Sequence, residues 1–223
     1  PALLPGATYA SVRAPQRAQM GYQWFPLSAD ASFSTEAVVD SVRPVAEWVE
    51  EQAKNHSRVF LLGFSQGAVI AGDLTSEIGT GNGPVPAELV RGSVLIADGR
   101  RLPGEGQSPG LSPGTGQGME ISLQPVTGFT QLIAGATMTG PRPGGFGALD
   151  DRTAQICDSR DLICNAPLNV VDGAARFQEF VANNAIHAMY ATNPDVVMGT
   201  TVPEWTIGHV RELVDAAPEI AHD

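Results

Sequence analysis

Four valines, Val38, Val42, Val45 and Val49, recur at spacings of 4, 3 and 4, with Trp48 beside them. That rhythm is one face of a 3.6-residue helix, and Asp40, Glu47, Glu50 and Glu51 form its polar side. A helix is therefore expected from Thr35, with Pro44 starting or kinking a segment because it brings no amide N–H. Ser57–Leu62 reads as a short buried strand. Gln66–Ile78 follows with small and aliphatic residues at helical spacing and stops before a glycine-rich turn. Val94–Ala97 is a second buried strand, closing at Asp98-Gly99, and Thr153–Ile156 looks like a late strand. Strands alternating with helices favour an α/β fold with a central, mostly parallel sheet flanked by helices.

Weaker patterns fill the ends. Ala7–Ala14 is a candidate strand, and Tyr22, Trp24 and Phe25 cluster in an expected loop. Asp172 can cap a helix through Ala182 with Phe177, Phe180 and Val181 inward. A last amphipathic helix is expected over about Pro203–Ala217, with Ile207, Val210, Leu213 and Val214 on one side. Between strand and strand, residues 102–149 behave differently. Gly and Pro punctuate almost every short run there, yet Met119, Ile121, Leu123, Val126, Phe129, Leu132, Ile133, Met138 and Phe146 recur. A linker would not carry so many apolar residues. The stretch reads as a long excursion folded onto the body, either simply packed down or lining an acyl-binding wall or lid.

Composition narrows the class. The 223 residues fit one domain, 1–223, and 43% hydrophobic content is enough for a sizeable core. A formal net charge of −11 argues against nucleic acid, which is held by neutralising phosphates. No apolar run reaches the roughly 18 residues that span a bilayer. The first ten residues, PALLPGATYA, lack the basic start and apolar stretch of a signal peptide. The histidines at 56, 187, 209 and 222 form no metal-ligand spacing with the cysteines, so neither metal nor cofactor is expected.

Chemistry concentrates at Gly63-Phe64-Ser65-Gln66-Gly67, which joins an expected strand to an expected helix. In a nucleophile elbow, this sharp turn lifts the serine out of the sheet, and side chains two residues either side would collide. Ser65 is the candidate nucleophile, and the backbone N–H of Gln66 at the helix start is a candidate oxyanion donor. A serine also needs a base and a group that orients the base. His187 is favoured as base and His209, expected on the surface of the last helix, is second. Two acids follow strand ends: Asp98, and the aspartates of Cys157-Asp158-Ser159-Arg160-Asp161-Leu162-Ile163-Cys164. The chain's only two cysteines bracket that loop. They are either a bridge that clamps it, implying an oxidising compartment, or two buried thiols.

Taken together, GFSQGAVIAGDL, CDSRDLIC and HAMY resemble the three active-site blocks of the cutinase family, secreted α/β-hydrolase serine esterases. The likeness spans about residues 55–191. It implies Ser65 as nucleophile, Asp161 as acid and His187 as base, with Tyr190 three residues on, and it implies the Cys157–Cys164 pairing. Arg160 stands where that family usually has glycine. No convincing counterpart of the family's early oxyanion turn is found, Pro5–Thr8 lying too near the next segment. The long excursion and extra C-terminal helix look closer to larger relatives that act on mycolate esters. The expectation is a secreted or cell-envelope esterase acting on carboxylic esters, lipid or acyl in kind, of unspecified oligomeric state. An acyltransferase using the same three residues, or a non-catalytic envelope protein on the same scaffold, are the alternatives.

Overall fold

The computed structural model describes residues 16–18, 21–23, 35–55, 59–113, 115–122, 124, 138–167, 178 and 185–216. Two short strands, β1 (Gln16–Ala18) and β2 (Gly21–Gln23), pair antiparallel. Then come α1 (Thr35–Asn55), β3 (Val59–Phe64), α2 (Gln66–Gly79) and β4 (Val90–Ile96). A one-turn helix α3 (Met119–Ser122), strand β5 (Thr153–Ile156), a second one-turn helix α4 (Ala185–Ala188) and α5 (Val202–Asp215) complete the order. Strands β3, β4 and β5 form a parallel sheet in that order.

Helices cover both faces of this sheet, as a parallel sheet requires. On one face, Val42, Val45 and Val49 of α1 and Ala68, Ile70, Ala71, Leu74 and Ile78 of α2 pack on Val59, Leu61 and Leu95. From Val42 on, the valine stripe therefore does what its spacing predicts. On the other face, Val94, Ala154 and Ile156 meet Val202 and Trp205 of α5. Gly92 matters here, because a methyl at that position would stand 2.7 Å from Leu213 Cδ1. Outside the described residues lie the proposed strand at 7–14, the helix over 172–182 apart from residue 178, Trp24 and Phe25.

Several expectations need correction. Helix α1 runs unbroken through Pro44, so that residue neither starts nor interrupts it. Tyr22 lies in β2 rather than in a loop. Strand β4 begins at Val90, four residues earlier than its apolar run. Its polar positions are buried but partnered, as where Ser93 Oγ meets Thr75 Oγ1 at 2.7 Å. Ala97 has left the strand, with φ of 56°. His187 sits in the helical turn α4. His209 is half-buried rather than solvated, its ring stacked on Trp205 with centroids 4.7 Å apart, and burial lowers its proton affinity.

The excursion is pinned where it is described. Gly118 N–H donates to Arg101 O, Glu120 N–H to Gly99 O, and Met119 N–H to Ile163 O. On the return limb, Arg142 is completely interior. It donates to Asp73 Oδ1 (2.8 Å), to Asp98 Oδ2 (2.6 Å) and Oδ1 (3.2 Å), and to Val69 O (3.2 Å). Arg100 adds bonds to Asp73 Oδ1 and to the carbonyls of Gly140 and Pro141. Met138, Phe146 and Ile121 are buried, as packing-down predicts.

Candidate active site

Strand β3 ends at Phe64 and helix α2 starts at Gln66, leaving one residue for the turn. Ser65 takes φ 56° and ψ −122°, a conformation that costs an ordinary residue about 1–3 kcal/mol and survives only where the surroundings enforce it. They do so here. Ser65 N–H donates to Ile96 O of β4 at 2.9 Å, extending the sheet ladder one residue past the strand. The Ser65 carbonyl accepts from Ala68 and Val69, opening the helix. Gly63 lets strand and helix close up, since a methyl there would lie 2.6 Å from Ala68 Cα and nearer still to the Gly67 carbonyl oxygen. Gln66 is the first residue of α2, at the positive end of its dipole.

The structure brings Ser65, His187 and Asp161 into one line of hydrogen bonds. His187 Nε2 is 2.9 Å from Ser65 Oγ, and His187 Nδ1 is 2.8 Å from Asp161 Oδ2. These partners stand 122 and 26 residues apart in the chain. With Nδ1 facing a carboxylate, the neutral imidazole carries its proton there and turns the Nε2 lone pair to the serine. Phe64 stacks on the His187 ring with centroids 4.9 Å apart and planes at 28°, which fixes the imidazole from the side.

Asp161 is 1% exposed. Its Oδ1 accepts from Ile163 N–H at 3.0 Å, and its Oδ2 also accepts from the Tyr190 hydroxyl at 2.9 Å. The loop that carries it follows β5 and is closed by a disulfide between Cys157 and Cys164. Inside the loop, Asp161 N–H donates to Asp158 O, and Asn165 N–H donates back to Asp161 O. Arg160 turns away from this line. Its guanidinium holds Asp158 through Nε–Oδ1 (3.0 Å) and Nη2–Oδ2 (2.8 Å).

The alternative acid and base are elsewhere. Asp98 is spent on Arg142 and on Arg100 N–H. His209 stacks on Trp205, and its Nε2 has no hydrogen-bond partner. His56, His222 and Pro5–Thr8 lie outside the described residues. Two contributors escaped sequence reasoning. Phe64 carried no role of its own in the Gly63–Gly67 motif. Tyr190 entered only through its place three residues after His187 in the resemblance, and it lies in the turn just past the end of α4.

Among the described residues, no helix is long and apolar enough to cross a membrane, and no group of three or more His, Cys, Asp or Glu could hold a metal ion. No family model matches the chain. A curated relative from Corynebacterium glutamicum, named Carboxylesterase Culp6 homolog, is 51% identical over 156 residues, which is 70% of this chain and 50% of the relative. The chain thus spans about half the length of the curated relative it matches.

Proposed function

We propose that this chain, which belongs to the cutinase family of α/β hydrolases, is a serine esterase that cleaves carboxylic esters through Ser65, His187 and Asp161. The observation that carries the reading is the continuous hydrogen-bonded line from Ser65 Oγ through both nitrogens of His187 to Asp161 Oδ2. Ser65 Oγ attacks the ester carbonyl as His187 Nε2 takes its proton. Asp161 holds the tautomer and stabilises the imidazolium. The tetrahedral oxyanion forms beside the start of α2, where the Gln66 N–H and the helix dipole favour negative charge. His187 then protonates the leaving alcohol. A water, deprotonated by the same nitrogen, releases the acid from Ser65.

The substrate is an acyl or lipid ester. Phe64, which stacks on His187, and Met189, two residues beyond it, are 46% and 44% exposed. They offer apolar surface next to the nucleophile. The Cys157–Cys164 bond fits a secreted or cell-envelope location, since such bonds persist in oxidising compartments. A non-catalytic role would not require the imidazole to be aligned on both sides, so the esterase reading is preferred.

The test is a p-nitrophenyl ester series from short to long chains, with fluorophosphonate labelling. Ser65 should be the labelled residue. Ser65→Ala and His187→Ala should each lower kcat by about 10⁴-fold or more, while His209→Ala should be mild. Undiminished turnover by the Ser65→Ala protein would end this mechanism.

A further inference from the structure

We propose that Tyr190 is a positioning residue for this relay: its hydroxyl shares Asp161 Oδ2 with the His187 imidazole and sets how strongly that oxygen holds the imidazole N–H. The inference rests on the esterase reading above.

Bond directions leave one arrangement. Asp158 N–H donates to the Tyr190 oxygen at 2.9 Å, so that oxygen is an acceptor on this side. Its own proton then goes to Asp161 Oδ2, 2.9 Å away. Cys164 Sγ lies 3.4 Å from the same oxygen but is bonded to Cys157 and has no proton to give. Burial and the Asp161 carboxylate push the phenol well above its ordinary range, so it remains a donor at every working pH. Tyr190 is 4% exposed, and its ring meets Phe64 edge-on at 5.9 Å. The hydroxyl therefore has little freedom to leave.

Two donors on one carboxylate oxygen compete for its charge. Without the phenol, more of that charge faces the imidazole. The imidazolium is then better stabilised, and the base fills with its proton at higher pH. A loosened carboxylate would act in the opposite sense. That effect is small here, because Oδ1 stays tied to Ile163 N–H and the loop stays closed by the disulfide. The other charged groups facing this assembly are Asp158 with its partner Arg160, and Arg101, which bonds Cys164 O and acts electrostatically on Tyr190. Tyr190→Phe leaves these charges in place and takes from Asp158 only the acceptor of its backbone N–H.

The experiment compares wild type with Tyr190→Phe by the pH profile of kcat/KM on p-nitrophenyl butyrate and by NMR titration of the His187 ring. The acid limb and the ring titration should both move up by about half to one pH unit, with KM unchanged. The NMR arm needs no turnover. An inactive wild type would sink the esterase reading, whereas an unmoved ring titration would sink the role of Tyr190. If the phenylalanine variant folds poorly, 3-fluorotyrosine incorporated at the chain's three tyrosines, 9, 22 and 190, provides a stronger donor and should move both readouts down. A uniform loss of rate with both midpoints fixed overturns the proposal.

Discussion

Gly63→Ala adds one methyl at the tightest point of the elbow. The new Cβ would stand 2.6 Å from Ala68 Cα, with the Gly67 carbonyl oxygen closer still. Carbon atoms settle at about 3.5–4.0 Å, so strand and helix must separate by about 1 Å. Neither neighbour is a flexible side-chain tip; both are backbone. Helix α2 is also held from behind by Arg142, which bonds Val69 O and Asp73. The strain therefore falls on the turn itself. Overpacking of this kind costs about 1–3 kcal/mol of stability. The larger effect should be on rate. The Ser65 Oγ–His187 Nε2 contact is 2.9 Å, and a displacement near 1 Å takes it beyond hydrogen-bonding range. Misplacement on that scale costs about 10²-fold. The assay is kcat/KM on p-nitrophenyl butyrate beside urea unfolding of the same preparation. A variant with unchanged rate and midpoint would show that the helix start has slack, and the account of Gly63 would be wrong.

Two further outcomes follow from other parts of the molecule. Removing the disulfide with Cys157→Ser and Cys164→Ser should cost about 2–3 kcal/mol by urea unfolding, the chain-entropy value for so short a loop; a loss of a few tenths would mean that the hydrogen bonds within the loop hold it unaided. Glu120 is buried and bonded by Thr139, and desolvation raises its pKa above the unfolded value. The native state then binds more protons in the window between those two values, so stability falls as pH rises through it. Glu120→Gln removes that slope: melts of the two proteins should coincide at low pH and the variant should be the more stable at pH 8, whereas parallel curves at all pH values would contradict this.

Local rhythm made much of the frame legible. The valine stripe of α1 from Val42 on, the small residues of α2 and the short β5 follow from spacing and burial, whereas β3, read as buried, turns Leu62 and Phe64 outward. Where polar groups are buried, the pattern misleads. Arg91 and Ser93 hide the first half of β4, although both positions are interior. The GFSQG spacing located the elbow. It could not choose between Asp98 and Asp161, because both follow strand ends. The choice depends on Arg142, which lies 44 residues from Asp98 and fills its carboxylate with guanidinium. No local signal marks such a pairing. His209 misled for a related reason. Its stacking partner Trp205 is four residues away, and Trp205 itself packs against the buried residues of β4 and β5.

The Arg142–Asp98 anchor also bears on how the protein can be altered. The chain leaves the sheet after Ile96 and is tied again at Gly140–Arg142 through Asp98, Arg100 and Asp73. Arg142 is therefore a position that cannot be exchanged freely with its neighbours, since its loss would leave Asp98 buried without its guanidinium. Any change to the segment upstream must keep that guanidinium in place if α2 and the end of β4 are to hold their registration.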